Sequence, residues 1–269
     1  VVTPKSASTV VLLKQGPRDS LYVLMLKRNV ALEFVGGAYV FPGGKVDVAD
    51  SNPDLYARCN GLDDSKASEL LGVCKDGLSY YVCAVRESFE EAGVLLGSVR
   101  AENLGDSDLS VLRSELNSGK VTFADMARKL DLVLDCTQLT YFSHWITPEG
   151  SPRRYDTRFF VAEMPSAQDP GADSGETTSH IWVTPSQALE SHQEGRFEMI
   201  LPTVKTLELF LEFSSVKDAL AWARSQRDVP TILPKLVSSG DSVEAILPDN
   251  PAYASSEEVY LQSARDIPL

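Results

Sequence analysis

The stretch from Leu78 to Gly93, LSYYVCAVRESFEEAG, carries two patterns at once. At about 100° per residue, Leu78, Tyr81, Val82, Val85, Phe89 and Ala92 fall on one face, which predicts a helix that buries that face and stops at Gly93. Glu87, Glu90 and Glu91 are spaced three and four apart, so the same geometry sets three like charges side by side. Each such pair costs an isolated helix about 0.2–0.5 kcal/mol, so helix stability does not explain them. With Glu87 at zero, Glu90 and Glu91 lie at about −60° and +40°, opposite Val85, Phe89 and Ala92. The acids are expected to face away from the core. They are either the solvated side of an amphipathic helix or a cation site, since a hard divalent ion such as Mg²⁺ takes carboxylate oxygens and would relieve their repulsion.

The rest of the chain has to be arranged around that helix. STVVLLKQ and SLYVLMLKR, separated by the turn-forming GPRD, read as a hairpin near the start. AYVFPGGKVDVAD reads as a short strand ended by Pro42 and the Gly43–Gly44 pair, where the backbone can approach a ligand closely. Residues 51–77 turn polar and are punctuated by Pro53, Gly61, Gly72 and Gly77; they are expected to be an insertion extruded as a loop, with only SELLGV ordered. Helices around SDLSVLRSELNSG and TFADMARKL lead into the strand-like LTYFSHWIT and YDTRFFVAEMP. PSQALESHQEG, LPTVKTLELFLEF and SVKDALAWARSQ are helical runs before a Pro-rich tail. The fold class is therefore α/β, with residues 1–269 as one domain and 185–269 as a mainly helical C-terminal extension.

Composition narrows the partners. With 25 basic residues against 38 acidic ones, the net charge of −13 argues against binding that neutralises many nucleic-acid phosphates. A small anionic substrate remains compatible if a metal supplies positive charge. Cys59, Cys74, Cys83 and Cys136 form no CxxC pair or zinc-site spacing, which fits a reducing, cytoplasmic setting. No apolar run approaches the roughly 18–20 residues of a membrane span, so no membrane partner is expected. The first residue is Val1, which leaves a trimmed targeting segment open.

GGKVDVAD at 43–50 followed by RESFEEAGV at 86–94 resembles the two halves of the box that defines the Nudix hydrolases. Gly44, Arg86, Glu87, Glu90, Glu91, Gly93 and Val94 match the pattern. Asp50 stands where the family has Glu, and Ser88 where it has an aliphatic residue. Thirty-five residues also separate Asp50 from Arg86, against the usual seven, and the polar stretch 51–77 makes up nearly all of the excess. Ser88 falls at about +100°, on the border between the faces, where its hydroxyl should cost little. The split box, HWITP at 144–148 and RRYDTRFF at 153–160 are similar to a branch of the family that includes a peroxisomal coenzyme A diphosphatase. Arg28, Gly37 and FPGG partly follow the coenzyme A box, whereas Asn29 and Glu33 depart from it.

The resemblance implies a Nudix α/β/α sandwich with a mixed sheet, and hydrolysis of a diphosphate that links a nucleoside to another group. It implies Mg²⁺ or Mn²⁺ held by Glu87, Glu90, Glu91 and the carbonyl of Gly43, with Glu87, Glu90, Arg86 and Glu176 taking part in catalysis. Asp50 pairs with Arg86 in support, and Gly44 and Gly93 shape the turn and the helix end. Arg28, Arg153 and Arg154 are candidate substrate contacts, since guanidinium forks suit phosphate oxygens; Arg158 is a further one. Each is equally suited to a structural ion pair. Trp145, Phe159 and Phe160 either stack an adenine or belong to the core, and His144, His180 and His192 read as structural. Coenzyme A or its thioesters are the leading substrate. ADP-ribose or a dinucleotide is the alternative, a nucleotide-sensing module without catalysis is a reading of another class, and a homodimer is left open.

Overall fold

The computed structural model describes residues 1–31, 36–100, 106–171, 176–240 and 242–263, so Glu33 lies outside the described residues. Strands Lys5–Gln15 and Leu21–Arg28 form the expected hairpin in the middle of a mixed sheet. The order across the sheet is Thr177–Val183, Leu21–Arg28, Lys5–Gln15, Tyr155–Glu163, Thr140–Ile146 and Thr231–Ile232. Tyr39–Val40 and Gly43–Lys45 pair with Leu21–Arg28 and Lys5–Gln15 respectively. Lys5–Gln15 runs parallel to Tyr155–Glu163, and Thr231–Ile232 runs parallel to Thr140–Ile146.

The central strands are apolar on both faces, and their alternation assigns each side chain to a layer. Val10, Leu12, Leu24, Leu26, Phe160 and Ala162 pack with helix Gly77–Ala92, the glutamate helix. Val11, Leu13, Val23, Met25 and Val161 pack with helices Pro185–Gln193, Leu201–Phe210 and Val216–Ser225. The unbroken runs VVLL and LYVLML are thus strands covered on both sides, in an α/β/α sandwich.

Two expectations change. Residues 51–77 are not an extruded loop: they hold helices Pro53–Tyr56 and Asp64–Leu71 and the short strand Cys59–Asn60, which pairs with Leu132–Asp135. Leu55, Ala67 and Leu71 are buried in the core, a contribution that the surrounding polar residues conceal in the sequence. The segment also caps the glutamate helix. Asp76, the residue before that helix, has φ 59° and makes no side-chain cap; Asp64 instead accepts from the N–H groups of Asp76 and Leu78 at 3.1 and 2.9 Å. Ser68 Oγ accepts from Gly77 N–H at 3.0 Å, and a Cβ at Gly77 would stand 2.2 Å from Ser68 N, so only glycine permits this approach. The C-terminal extension is helical only through Ser225; Lys235–Ser239 and Ser242–Ile246 then form an antiparallel hairpin.

The cap and the buried leucines give an expected outcome. Asp64→Ala should lower the unfolding free energy by about 1–2 kcal/mol in urea titration. Exchanging residues 51–77 for a short linker should abolish cooperative unfolding, because a single buried Leu→Ala change already costs about 2–5 kcal/mol. A cooperative transition in the shortened chain would return the segment to the status of a loop.

Candidate active site

Asp50 closes a 3-10 turn after the Gly43–Lys45 strand, accepting from Asp47 N–H at 2.8 Å, and is only 1% exposed. Arg86 grips it with both sides of its guanidinium, Nε to Oδ1 at 2.8 Å and Nη2 to Oδ2 at 2.9 Å. This is the expected fork, and the shorter Asp side chain suffices for it. Arg86 Nη1 also donates to Glu87 Oε1 and Glu90 Oε2, each at 2.8 Å, and Nη2 donates to the carbonyl of Lys45 at 3.1 Å. One cation therefore ties the helix to the glycine turn and draws three carboxylates together.

Glu91 takes a different partner, accepting from Gly43 N–H at 2.9 Å, and is 3% exposed. A Cβ on Gly44 would lie 2.3 Å from Glu87 Oε1, so the absence of a side chain there is what admits Glu87. The acids do point away from the apolar clusters, but against the turn rather than into solvent. Gly93, at φ 70°, ends the helix, and its N–H donates to the carbonyl of Phe89 at 2.9 Å. The last carbonyls are met from elsewhere: Arg113 and Asn117 donate to Glu90 O, Thr177 Oγ1 to Glu91 O and Gly171 N–H to Ala92 O. No local pattern marks Arg113, Asn117 or Thr177 for this. Ser88 departs from expectation: it is fully buried, and its Oγ has no hydrogen-bond partner among the described residues.

Glu87, Glu90 and Glu91 border a cavity of about 650 Å³ together with Gly43, Gly44 and Arg86. Arg28 and Glu176 reach the same cavity because the sheet pairs Arg28 with Thr177. Arg28 Nε is buried without a partner among the described residues. Arg153 and Arg154 do not line the cavity. Arg154 is buried, donating to the carbonyls of Thr147 and Val2 at 3.0 and 2.8 Å, which is a structural role. Arg158 pairs with Asp156 and donates to Leu71 O. Trp145 and Phe159 line the cavity and Phe160 is core, while His144 bonds Asp156 and His192 bonds the carbonyl of Phe197.

Burial pushes the carboxyl of Glu87 up to about 7 against the pull of Arg86, with Glu90 adding repulsion. Burial also raises Glu90, and it raises Glu91 well above the carboxylate range. For Arg86, burial is outweighed by the bond to Asp50 and the charge of Glu87, so the guanidinium stays charged. Among the described residues no three acidic, His or Cys side chains are already gathered as a metal cage. The donor chemistry nevertheless fits a hard divalent cation: every donor is oxygen, and Arg86 alone offsets Asp50, Glu87 and Glu90.

The family model described as the NUDT19 Nudix domain matches residues 5–209. The chain belongs to this Nudix family and is a Nudix pyrophosphohydrolase. It is 28% identical over 281 residues to acyl-coenzyme A diphosphatase NUDT19 of Homo sapiens, covering 90% of this chain and 75% of that protein. The Xenopus laevis protein of the same name is 26% identical, over 91% and 75% of the two chains. The putative nudix hydrolase 7 of Caenorhabditis elegans is 27% identical, over 80% and 62%. Among solved structures, a NUDIX hydrolase from Alicyclobacillus acidocaldarius superposes with a TM-score of 0.68 at 23% identity, covering 82% of this chain and 97% of that one, which shows the shared fold. The family generally uses divalent metal ions. No helix among the described residues is long and apolar enough to cross a membrane.

The raised carboxyl of Glu87 fixes the sign of a pH effect. Its folded value of about 7 exceeds the ordinary 4.5, so the fold favours the protonated form. The resulting stability is complete below about 4.5 and is lost as pH rises through 7. In chelator, the melting temperature should therefore fall between pH 5 and pH 8, and the fall should be shallower in Glu87→Gln. Identical pH slopes for the two proteins would show that Glu87 ionises without strain.

Proposed function

We propose that this protein hydrolyses the diphosphate of coenzyme A or acyl-coenzyme A, giving 3′,5′-ADP and phosphopantetheine or its acyl form, in a reaction that needs Mg²⁺ or Mn²⁺. The observation that carries the reading is the cavity, which has buried carboxylates, an Arg28 Nε without a partner among the described residues and an apolar wall around one space. The likeness to the acyl-coenzyme A diphosphatases NUDT19 of Homo sapiens and Xenopus laevis supports the same substrate class.

In this reading Glu87, Glu90, Glu91 and the Gly43 carbonyl would hold the metal. The metal, when bound, lowers the pKa of water and neutralises the diphosphate. Arg86 holds the acid-bearing face of the helix against the glycine turn through Asp50. Glu176, exposed at the cavity edge, would accept a proton from the attacking water. Arg28 and Lys45 supply cations for the 3′-phosphate side of the substrate. Four free cysteines suit a reducing compartment such as the cytoplasm.

The test is a panel of coenzyme A, dephospho-coenzyme A, acyl-coenzyme A, ADP-ribose, NADH and dinucleoside polyphosphates with each metal. Coenzyme A species should give the highest kcat/KM, with coenzyme A yielding 3′,5′-ADP. Glu90→Gln and Glu91→Gln should stay folded and lose at least about 100-fold in kcat, as should the wild type in chelator. Faster turnover of ADP-ribose would replace the substrate, and undiminished activity in chelator would remove the metal.

A further inference from the structure

The cavity extends well past the acid cluster, and its far end is built from another part of the chain. The family match ends at residue 209, yet Pro234, Leu236 and Ala245 line the cavity. They come from the C-terminal hairpin and the residue before it. The segment after the hairpin fastens it in place. Glu258 Oε1 accepts from Gly150 N–H at 2.9 Å and from Leu236 N–H at 3.4 Å. Val259 N–H donates to Leu236 O, and Leu261 N–H to Gly150 O, each at 2.8 Å. The wall is therefore clamped to the turn that follows Pro148, another lining residue.

The sheet register measures the separation of the two ends. Lys45, Ala7, Thr157 and Trp145 are successive partners across four strands, and all four line the cavity. At about 4.8 Å per strand this row spans roughly 14 Å. Beyond Trp145 the next partner is Ile232, two residues before Pro234. The cationic lining residues, Arg28, Lys45 and Arg86, all belong to the acid end, by sheet pairing, by the glycine turn and by the helix. At the other end Trp145, Pro148, Pro234, Leu236 and Ala245 offer no charge.

We infer that the C-terminal hairpin receives the uncharged half of the substrate, the acyl-pantetheine arm, and sets the acyl length the enzyme accepts. This rests on the acyl-coenzyme A reading of the site. An adenosine 3′,5′-bisphosphate half carries its charge with it and belongs beside Arg28 and Lys45. The arm across the scissile diphosphate carries none and gains from apolar burial, about fourfold in affinity per methylene. Ala245 is half-buried, so a larger side chain there reaches into the space the acyl group would fill.

Two measurements test this. The first is the ratio of kcat/KM for octanoyl-coenzyme A to that for coenzyme A. It should fall about tenfold in Ala245→Phe and rise for palmitoyl-coenzyme A in Leu236→Ala, mainly through KM. The second needs no variant: in wild-type protein with Mg²⁺, the product octanoyl-phosphopantetheine, which is not turned over, should slow amide exchange in Lys235–Ser239 and Ser242–Ile246 more than phosphopantetheine does. Equal exchange with both ligands, or unchanged ratios in folded variants, overturns the inference while leaving the substrate reading intact. Absence of turnover of every coenzyme A species by the wild type overturns the substrate reading and the inference with it.

Discussion

The bond between Arg86 and Asp50 is the contact on which the site depends. Asp50 is buried at the end of one turn and Arg86 projects from one helix, so their two-pronged pairing fixes the helix against the glycine strand. Removing one partner of such a pair leaves a buried charge uncompensated, at a cost of about 3–5 kcal/mol. The same guanidinium holds Glu87 and Glu90, which makes their positions a consequence of the Asp50 contact rather than of helix geometry alone. Glycine supplies the remaining condition. Without a Cβ at Gly44 Glu87 can approach the turn, and the bare Gly43 N–H serves as the donor to Glu91.

A helix that carries repelling carboxylates needs support at both ends, and here it comes from outside the helix. Asp64 and Ser68 satisfy its first N–H groups, and Arg113, Asn117, Thr177 and Gly171 satisfy its last carbonyls. Unmet backbone groups at a buried helix end are costly, so these contacts, added to the local cap at Gly93, explain how the acid face is held. The 51–77 segment separates the halves of the box in sequence while joining them in space.

What the sequence made legible follows the range of each interaction. Apolar runs bounded by a turn marked the central strands, and helical periodicity marked the buried face of the glutamate helix, because both signals are local in the chain. The pairing of Asp50 with Arg86 was readable despite the 35-residue separation because the two half-motifs each kept their local form. Arg154 was not. A guanidinium fork serves a phosphate and a pair of backbone carbonyls equally well, and only tertiary structure places Thr147 O and Val2 O around it. The order within 51–77 was hidden for a related reason: its few buried residues, Leu55, Ala67 and Leu71, are too sparse to set a period. Ser88 misled in the other direction, since an angle on an isolated helix does not reveal which neighbours cover its border.

The charges around the cavity bear on the order in which a reaction could be assembled. Among the described lining residues, Asp47, Glu87, Glu90, Glu91 and Glu176 are five acids against three cations, Arg28, Lys45 and Arg86. Arg86 is already engaged by Asp50, Glu87 and Glu90, and Lys45 lies 3.7 Å from Asp47. A diphosphate entering this space with the carboxylates ionised meets a net negative wall, in a partly dry setting where charges act more strongly than in water. Protonation of Glu87 and Glu91, which burial favours, would ease the entry but would also remove the anionic oxygens a hard cation needs. Substrate affinity and catalytic competence thus pull the same carboxylates in opposite directions until a divalent cation is present, and binding, not only turnover, is where that dependence should first be felt.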